Sequence, residues 1–503
     1  MTRTTPVLPA ATPLPLHGIA AARRIETAAA AGLPPHTLMQ RAGLAVARLA
    51  LAVAPHAQRV TVLAGPGNNG GDGLEAALHL TRAGRQVAVW LTTGDIQALP
   101  PDAAQSYHRA REAGVRLHTT PDTLPAADLV IDALLGLGAS RAPAGAVAQA
   151  IALANAQQAP VLAVDVPSGL HAETGARLGD LAVQAAHTLS LLALKPGLFT
   201  AEGRGLCGRL WHDDLGIAAE LLAAEAPLAR LGASTALPLA PRGHAQHKGS
   251  FGDVAVVGGA PGMAGAARLA ARAALAAGAG RVYLSPLDPA SGNDDGRPEL
   301  MHRPQIWLQP QGLLDRSTVV CGCGGGSVVA EVLPPVLAQA PRLVLDADAL
   351  NAVATDARLQ QALAGRARRG QHSVLTPHPL EAARLLRCPT AQVQADRLNA
   401  ALQLAARFDA VVVLKGSGSV IAAPGRLPVI NPTGNALLAT AGTGDVLAGW
   451  LGGTWAQVPQ QDGWPAALEA VRRHGAAADQ ALLQGLQGPL RAAELVEAML
   501  HTL

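Results

Sequence analysis

"RVTVLAGPGNNGGDGLEAALHL", Arg59 to Leu80, decides the fold class. It opens on a β-branched apolar run and passes through a glycine-rich loop holding two asparagines and an aspartate. It then continues as an Ala/Leu stretch with helical spacing. An almost wholly apolar strand suits a sheet covered on both faces, and strand, polar glycine turn, helix is the unit of a parallel α/β fold. The pattern predicts a helix beginning near Asp72, whose free backbone N–H groups can face a pyrophosphate. The next strand ends "VWLTTGD", without the terminal acid of the ordinary dinucleotide fingerprint.

The same unit recurs along the chain. "QVAVWLT", "DLVIDALLG", "PVLAVDVPSG" and "TLSLLAL" follow in the first half. "GDVAVVGG", "GRVYLSP", "STVVCG", "RLVLDADAL", "SVLTPH" and "AVVVLKG" follow in the second. A chain of 503 residues is too long for one ordinary core. The strand pattern lapses between Leu215 and Gly249, which places a boundary near residue 230 and two domains at 1–230 and 231–503. In such sheets ligands bind at the carboxyl ends of the strands, where the glycine loops lie.

Composition narrows the classes. A formal net charge of +3 with no basic block argues against nucleic acid. Four cysteines in this length fit a reducing cytoplasm, and Cys321 and Cys323 lack a second pair to complete a zinc set. "MAGAARLAARAALAAGAG" carries two arginines and reads as a buried helix, not a membrane span. The expectation is a cytoplasmic protein with no membrane partner. Its Ala-rich helices suit a homo-oligomer or a monomer core equally.

In the first half, three strand ends carry polar groups: Asn69 and Asp72, Asp132, and Asp165 with Ser168. Asn69, Asp132 and Ser168 offer hard oxygens for a hard cation, and Asp165 is a candidate proton-transfer group. "GPGNNGGDG", "DALLG" and "DVPSG", in this order, resemble the YjeF N-terminal family, the NAD(P)H-hydrate epimerases, over roughly residues 15 to 220. The resemblance implies a Rossmann-like three-layer sandwich that interconverts the R and S forms of NADHX and NADPHX. By that resemblance Asn68, Asn69, Gly70, Gly71 and Asp72 contact the hydrate, as do Gly136, Leu137, Gly138, Ala139, Ser140, Arg141 and Ala142. Asp165 lies beside it, and Asn69, Asp132 and Ser168 hold a potassium ion.

In the second half, "RLVLDADALNAV" sets Asp346 and Asp348 after a strand, a pair that could bind a metal or cap the following helix; Asp348 is the candidate cap and the role of Asp346 stays open. His378 sits in a Pro-bracketed turn, either structural or in contact with a ligand. "KGSGS" and "NALLATAGTGD" give two phosphate-sized cradles and one terminal aspartate, without Walker A spacing. These cradles and the terminal aspartate resemble the ribokinase-like superfamily, which implies a ribokinase-like second domain where a helix N-terminus stabilises phosphoryl charge while the aspartate takes the proton of the attacking hydroxyl.

"HKGSFG", "TPHPLE", "VLKGSGS" and "AGTGDVLAG" resemble the YjeF C-terminal family, the ADP-dependent NAD(P)H-hydrate dehydratases, over roughly residues 240 to 500. The turn "GCGGG" has Cys323 where the family more often has proline. The resemblance implies that Lys415, Gly416, Ser417, Gly418 and Ser419 hold ADP. It adds Asn435, Ala436, Leu437, Leu438, Ala439, Thr440, Ala441, Gly442, Thr443 and Gly444 to that cradle. Ala266, Gly326, His378 and Asp445 would contact the S hydrate, with Asp445 catalytic and Mg2+ accompanying ADP. Two other readings make the second half a small-molecule kinase or the first half a binding module.

Overall fold

The computed structural model describes residues 4–119, 123–233, 242–292, 296–309 and 312–502. The chain divides into two compact units, Met1–Pro9 with Pro15–Arg230, and Ala10–Leu14 with Leu231–Leu503.

The first unit is built on β1 (Thr5–Pro6), β2 (Arg59–Ala64), β3 (Gln86–Leu91), β4 (Arg116–Thr119), β5 (Leu129–Ala133), β6 (Val161–Val164), β7 (His187–Leu191) and β8 (Arg209–Asp213). Their order in the sheet is β1-β8-β7-β6-β5-β2-β3-β4. All neighbours are parallel except β1 against β8. The order reverses at β2, whose neighbours are β3 and β5, so a crevice opens at the carboxyl ends of β2 and β5. Alternate residues of β2 serve opposite faces. Val60, Val62 and Ala64 enter one core with α2 (Thr37–Val53) and α3 (Asn68–Arg82), while Leu63 enters the other with α5 (Gly145–Asn155). Ahead of these, α1 (Ile19–Ala31) and α2 are separated at "GLPP"; α4 (Pro101–Glu112) packs on α3.

The helix after β2 starts at Asn68, not near Asp72. Its glycines explain the early start. A Cβ on Gly70 would lie 2.1 Å from the Gly65 carbonyl oxygen, so the first turn coils against the strand end where a larger residue would clash. Asp72 therefore projects from the second turn.

In the second unit the strands are β9 (Asp253–Gly258), β10 (Arg281–Pro286), β11 (Met301–His302), β12 (Thr318–Cys321), β13 (Arg342–Leu345), β14 (His372–Leu375), β15 (Val411–Leu414), β16 (Val420–Ala422) and β17 (Val429–Ile430). They run β11-β10-β9-β12-β13-β14-β15-β16-β17. Pairing is parallel from β11 to β15 and antiparallel from β15 to β17. Two helices form one layer at close range, α6 (Ala264–Ala276) and α11 (Thr443–Ala456). Cβ atoms on Gly449 and Gly453 would lie 2.0 and 2.2 Å from the carbonyl oxygens of Ala270 and Ala274. This i, i+4 pair of glycines lets α11 ride on the Ala face of α6, which accounts for both compositions. Among the described residues, no helix is long and apolar enough to cross a membrane.

Candidate active sites

A cavity of about 710 Å³ opens at the switch point of the first unit. Of the residues expected there, Asn68, Asn69, Asp72, Gly136, Leu137, Gly138, Ala139 and Asp165 line it. Gly70, Gly71, Ser140, Arg141 and Ala142 are not among its walls; the two glycines pack inward. Asp165 follows β6 in the left-handed region, at φ 67°, an uncommon conformation for a residue with a Cβ. The cavity is rich in acids. Burial raises the Asp72 carboxyl well above its ordinary range, helped by the charges of Asp165 and Glu26. Glu26 is raised chiefly by burial as well.

Asp132 and Ser168 form one unit at the ends of β5 and β6. The Ser168 hydroxyl donates to Asp132 Oδ1 at 2.6 Å, and the Ser168 amide donates to Oδ2 at 2.8 Å. Asp132 is wholly buried and forms no ion pair among the described residues, and burial pushes its pKa up to about 6. Asn69 lies beside Gly136 with its amide nitrogen buried and unpartnered. A buried carboxylate lacking a cation and an unsatisfied amide, whose oxygen and nitrogen can exchange places, suit a monovalent cation held by oxygens.

The second unit gathers its chemistry at the carboxyl ends of β12, β13 and β15. Lys415 Nζ donates to Asp346 Oδ1 at 2.6 Å, and the Thr376 hydroxyl donates to the same oxygen at 2.8 Å. Asp445 stands in the first turn of α11, with Gly442 as N-cap. One ligand atom each from Cys323, Asp346 and Asp445 lie within 4.8 Å of one another. Burial, then the Asp346 charge, pushes the Asp445 pKa up to about 6. Lys415 already supplies a positive charge inside this group, so the cluster reads as an ion-pair network rather than a cage for a metal.

Gly326 carries its amide to Asp348 Oδ2 at 2.8 Å. Asp348 thus anchors the "GCGGG" turn; the N-cap position of α8 (Ala347–Thr355) belongs to Asp346, whose side chain is spent on Lys415. Ala266 packs at 2.8 Å from where a Cβ on Gly324 would sit, which brings α6 to the same turn. His378 caps α9 (Pro379–Leu386): its Nδ1 accepts from the amides of Leu380 at 3.1 Å and Glu381 at 3.4 Å. Its Nε2 faces Glu381 Oε1 at 3.2 Å, and its side chain stays about half exposed. Burial raises Glu381 to about 7, with Asp346 adding to the rise.

The cradle residues lie around this group. Lys415 to Ser419 form the turn between β15 and β16, backed by Arg397, which donates to the carbonyls of Leu414 and Lys415 at 3.2 and 3.1 Å. Asn435 caps the turn Ala436–Leu438, and its amide nitrogen donates to Asp479 at 2.9 Å. Thr443 donates to the carbonyls of Leu438 and Thr440, both at 3.0 Å, which folds Ala439 to Gly442 into a loop at the start of α11. The start of that helix leaves free N–H groups of the kind that bind anions.

One family model, YjeF-related protein N-terminus, matches residues 35–197, and another, NAD(P)H-hydrate dehydratase, matches residues 254–499. The bifunctional NAD(P)H-hydrate repair enzyme of Escherichia coli (strain K12) is 39% identical over 461 residues, 90% of this chain and 87% of its own. The chain belongs to the bifunctional NAD(P)H-hydrate repair enzymes. Their counterpart in Moorella thermoacetica is 37% identical over 509 residues, covering 94% of this chain and 93% of its own. Among solved structures, an ADP/ATP-dependent NAD(P)H-hydrate dehydratase from Bacillus subtilis, co-crystallised with ATP/Mg2+, is 29% identical and covers 53% of this chain and 93% of its own, with a TM-score of 0.43. The fold is two α/β units, each built on a largely parallel sheet.

Sequence reasoning missed several residues of this repair enzyme's sites. Lys195, Glu26, His36 and Asp102 line the first cavity, and Asp346 rather than Asp348 enters the second cluster. One signal for Lys195 was available: the chain has only three lysines, at 195, 248 and 415, among 39 basic residues.

Proposed function

We propose that the first unit equilibrates the R and S hydrates of NADH and NADPH, and that the second dehydrates the S form at the expense of ADP. Asp445 carries the reading: a carboxylate in the first turn of a helix, beside an anion-binding loop, with a pKa raised to about 6. A base poised near the working pH suits removal of a hydroxyl proton.

In the second unit, Asp445 takes the proton of the ring hydroxyl while that oxygen bonds to the terminal phosphorus of ADP. The bridging P–O bond breaks and AMP leaves. Hydroxide is a poor leaving group, and the phosphate ester replaces it. The C–O bond then breaks, phosphate departs, and loss of a proton from the neighbouring ring carbon restores the dihydronicotinamide. The amides of the Asn435–Gly444 loop and the start of α11 hold the phosphates, and Lys415 offsets their charge from its seat on Asp346. Magnesium would enter with ADP and offset phosphate charge. Asp346 is taken by Lys415 and Asp445 by the substrate hydroxyl, and the thiol of Cys323 is too soft, so magnesium would be held chiefly by the phosphates of ADP.

In the first unit, Asp165 moves the proton of the same hydroxyl. The proton passes to the ring nitrogen as the C–N bond breaks and the carbon becomes a planar carbonyl; the nitrogen then re-adds to either face and the proton returns to the oxygen. Potassium would be held by Asn69, Asp132 and Ser168; it supplies the positive charge that Asp132 lacks. Its place at the ends of β5 and β6 would fix the loop from Gly136 to Ala139 against the substrate.

The test incubates the protein with mixed NADHX epimers and ADP and follows NADH absorbance and phosphate. Complete recovery of both epimers, with one phosphate per NADH, is the expected result. No ADP-dependent recovery refutes the dehydratase reading. Recovery of the S portion alone refutes the epimerase reading.

A further inference from the structure

Resting on the epimerase reading of the first unit, we propose that Lys195 is the positioning residue that holds Asp165 over the cavity, and that this place demands an ammonium and rejects a guanidinium. Lys195 follows β7 and is 2% exposed. Its Nζ faces three oxygens at once: Asp165 Oδ1, the Leu191 carbonyl at 2.8 Å and the Ser190 hydroxyl at 3.3 Å. An ammonium has three N–H donors on one atom, so three converging acceptors satisfy it completely. A guanidinium spreads its donors over a rigid planar fork and cannot converge on that point.

The composition points the same way. Where this chain needs only a positive partner for a buried or part-buried carboxylate, it uses arginine: Arg109 on Glu75, Arg281 on Asp253 and Arg472 on Glu469. Lysine appears at three positions in 503 residues, and two of them sit on an aspartate at the two reaction sites. At position 195 the choice therefore follows from shape, not from charge.

The contacts also determine which oxygen does the work. Lys195 and the Leu191 amide, at 3.2 Å, both bind Oδ1 of Asp165. None of the described hydrogen bonds uses Oδ2, and Asp165 lines the cavity. These two bonds make the carboxylate a fixed acceptor, while the bond from the Asp165 amide to the Leu189 carbonyl at 2.8 Å ties down its backbone at positive φ. Glu26 and Asp72 face Asp165 from α1 and α3, so the lysine also supplies the positive charge among three acids.

The experiment uses the full chain with R-NADHX and ADP, and compares Lys195→Ala and Lys195→Arg with the wild type. S-NADHX dehydration by the same preparations is the internal control. Both variants should lose on the order of 100-fold in the turnover number for R-epimer recovery, with KM and S-epimer dehydration within about threefold. Methylammonium chloride should restore Lys195→Ala by at least about tenfold, and guanidinium chloride at the same concentration should not. A misfolded unit would not be rescued by a small amine, so absence of rescue overturns the proposal. Activity of Lys195→Arg within about threefold of wild type overturns it as well. Failure of the wild type to recover the R epimer would instead overturn the epimerase reading beneath it.

Discussion

Asp445 gives the sharpest handle on the second site. Its pKa of about 6 arises from burial and from the Asp346 charge, against its ordinary value of 3.8. As a base it must be ionised. With a pKa near 6 it is ~91% ionised at pH 7 and only ~9% at pH 5, so the rate falls about tenfold across that interval. Asp346→Asn removes the neighbouring negative charge. Carboxylates whose nearest oxygens lie within 4.8 Å repel by at least about 3 kcal/mol at an effective dielectric constant near 20. The Lys415 ammonium on Asp346 cancels much of this, which leaves a downward shift of about one pH unit. The assay is phosphate release from purified S-NADHX and ADP between pH 4.5 and 8, read as kcat/KM. The wild type should show an acid limb near pH 6, and Asp346→Asn a limb near pH 5 at lower absolute activity. Asp445→Asn should lose about 100- to 10,000-fold while ADP binding, followed by calorimetry, stays within a few-fold. A flat wild-type profile, or a limb that Asp346→Asn leaves in place, would refute the reasoning.

Three further outcomes follow from the packing and the charges. The Asp132 pKa is raised to about 6, so the folded unit takes up a proton that the unfolded chain does not; its ionised form costs stability above pH 6, and the cost vanishes as pH falls toward 4. Potassium chloride should therefore raise the melting temperature at pH 8 relative to choline chloride but not at pH 5, and Asp132→Asn should abolish the difference. Lys415→Met strands Asp346 in a buried site, which should cost about 3–5 kcal/mol in urea denaturation and weaken ADP binding; unchanged stability would contradict the ion pair. Gly453→Val places side-chain atoms where a Cβ already lies 2.2 Å from the Ala274 carbonyl, so it should destabilise by about 1–3 kcal/mol or more, while Gly488→Val, in open space, should fall within about 0.5 kcal/mol.

The sequence by itself determined the α/β class and the family. Both depend on order along the chain. Apolar runs of four to six residues ending in glycine or aspartate became β2, β5, β9 and β12, and the Ala-rich run became α6 beneath α11. The loops "GPGNNGGDG" and "AGTGD" were legible because a glycine-rich turn into a helix has few other uses. Short edge strands such as β1, β4 and β11 were not anticipated, since two to four residues carry too little pattern to separate from loop. Tertiary structure alone decided how side chains from distant strands meet. Asp346 and Asp348 are two apart in sequence, yet one binds Lys415 and the other the Gly326 amide, because the N-cap position and the first helical turn point their side chains in different directions. Cys323 reaches Asp445 across more than a hundred residues, and Lys195 reaches Asp165 across thirty. Such meetings depend on strand order and helix start, and no local window of sequence carries either.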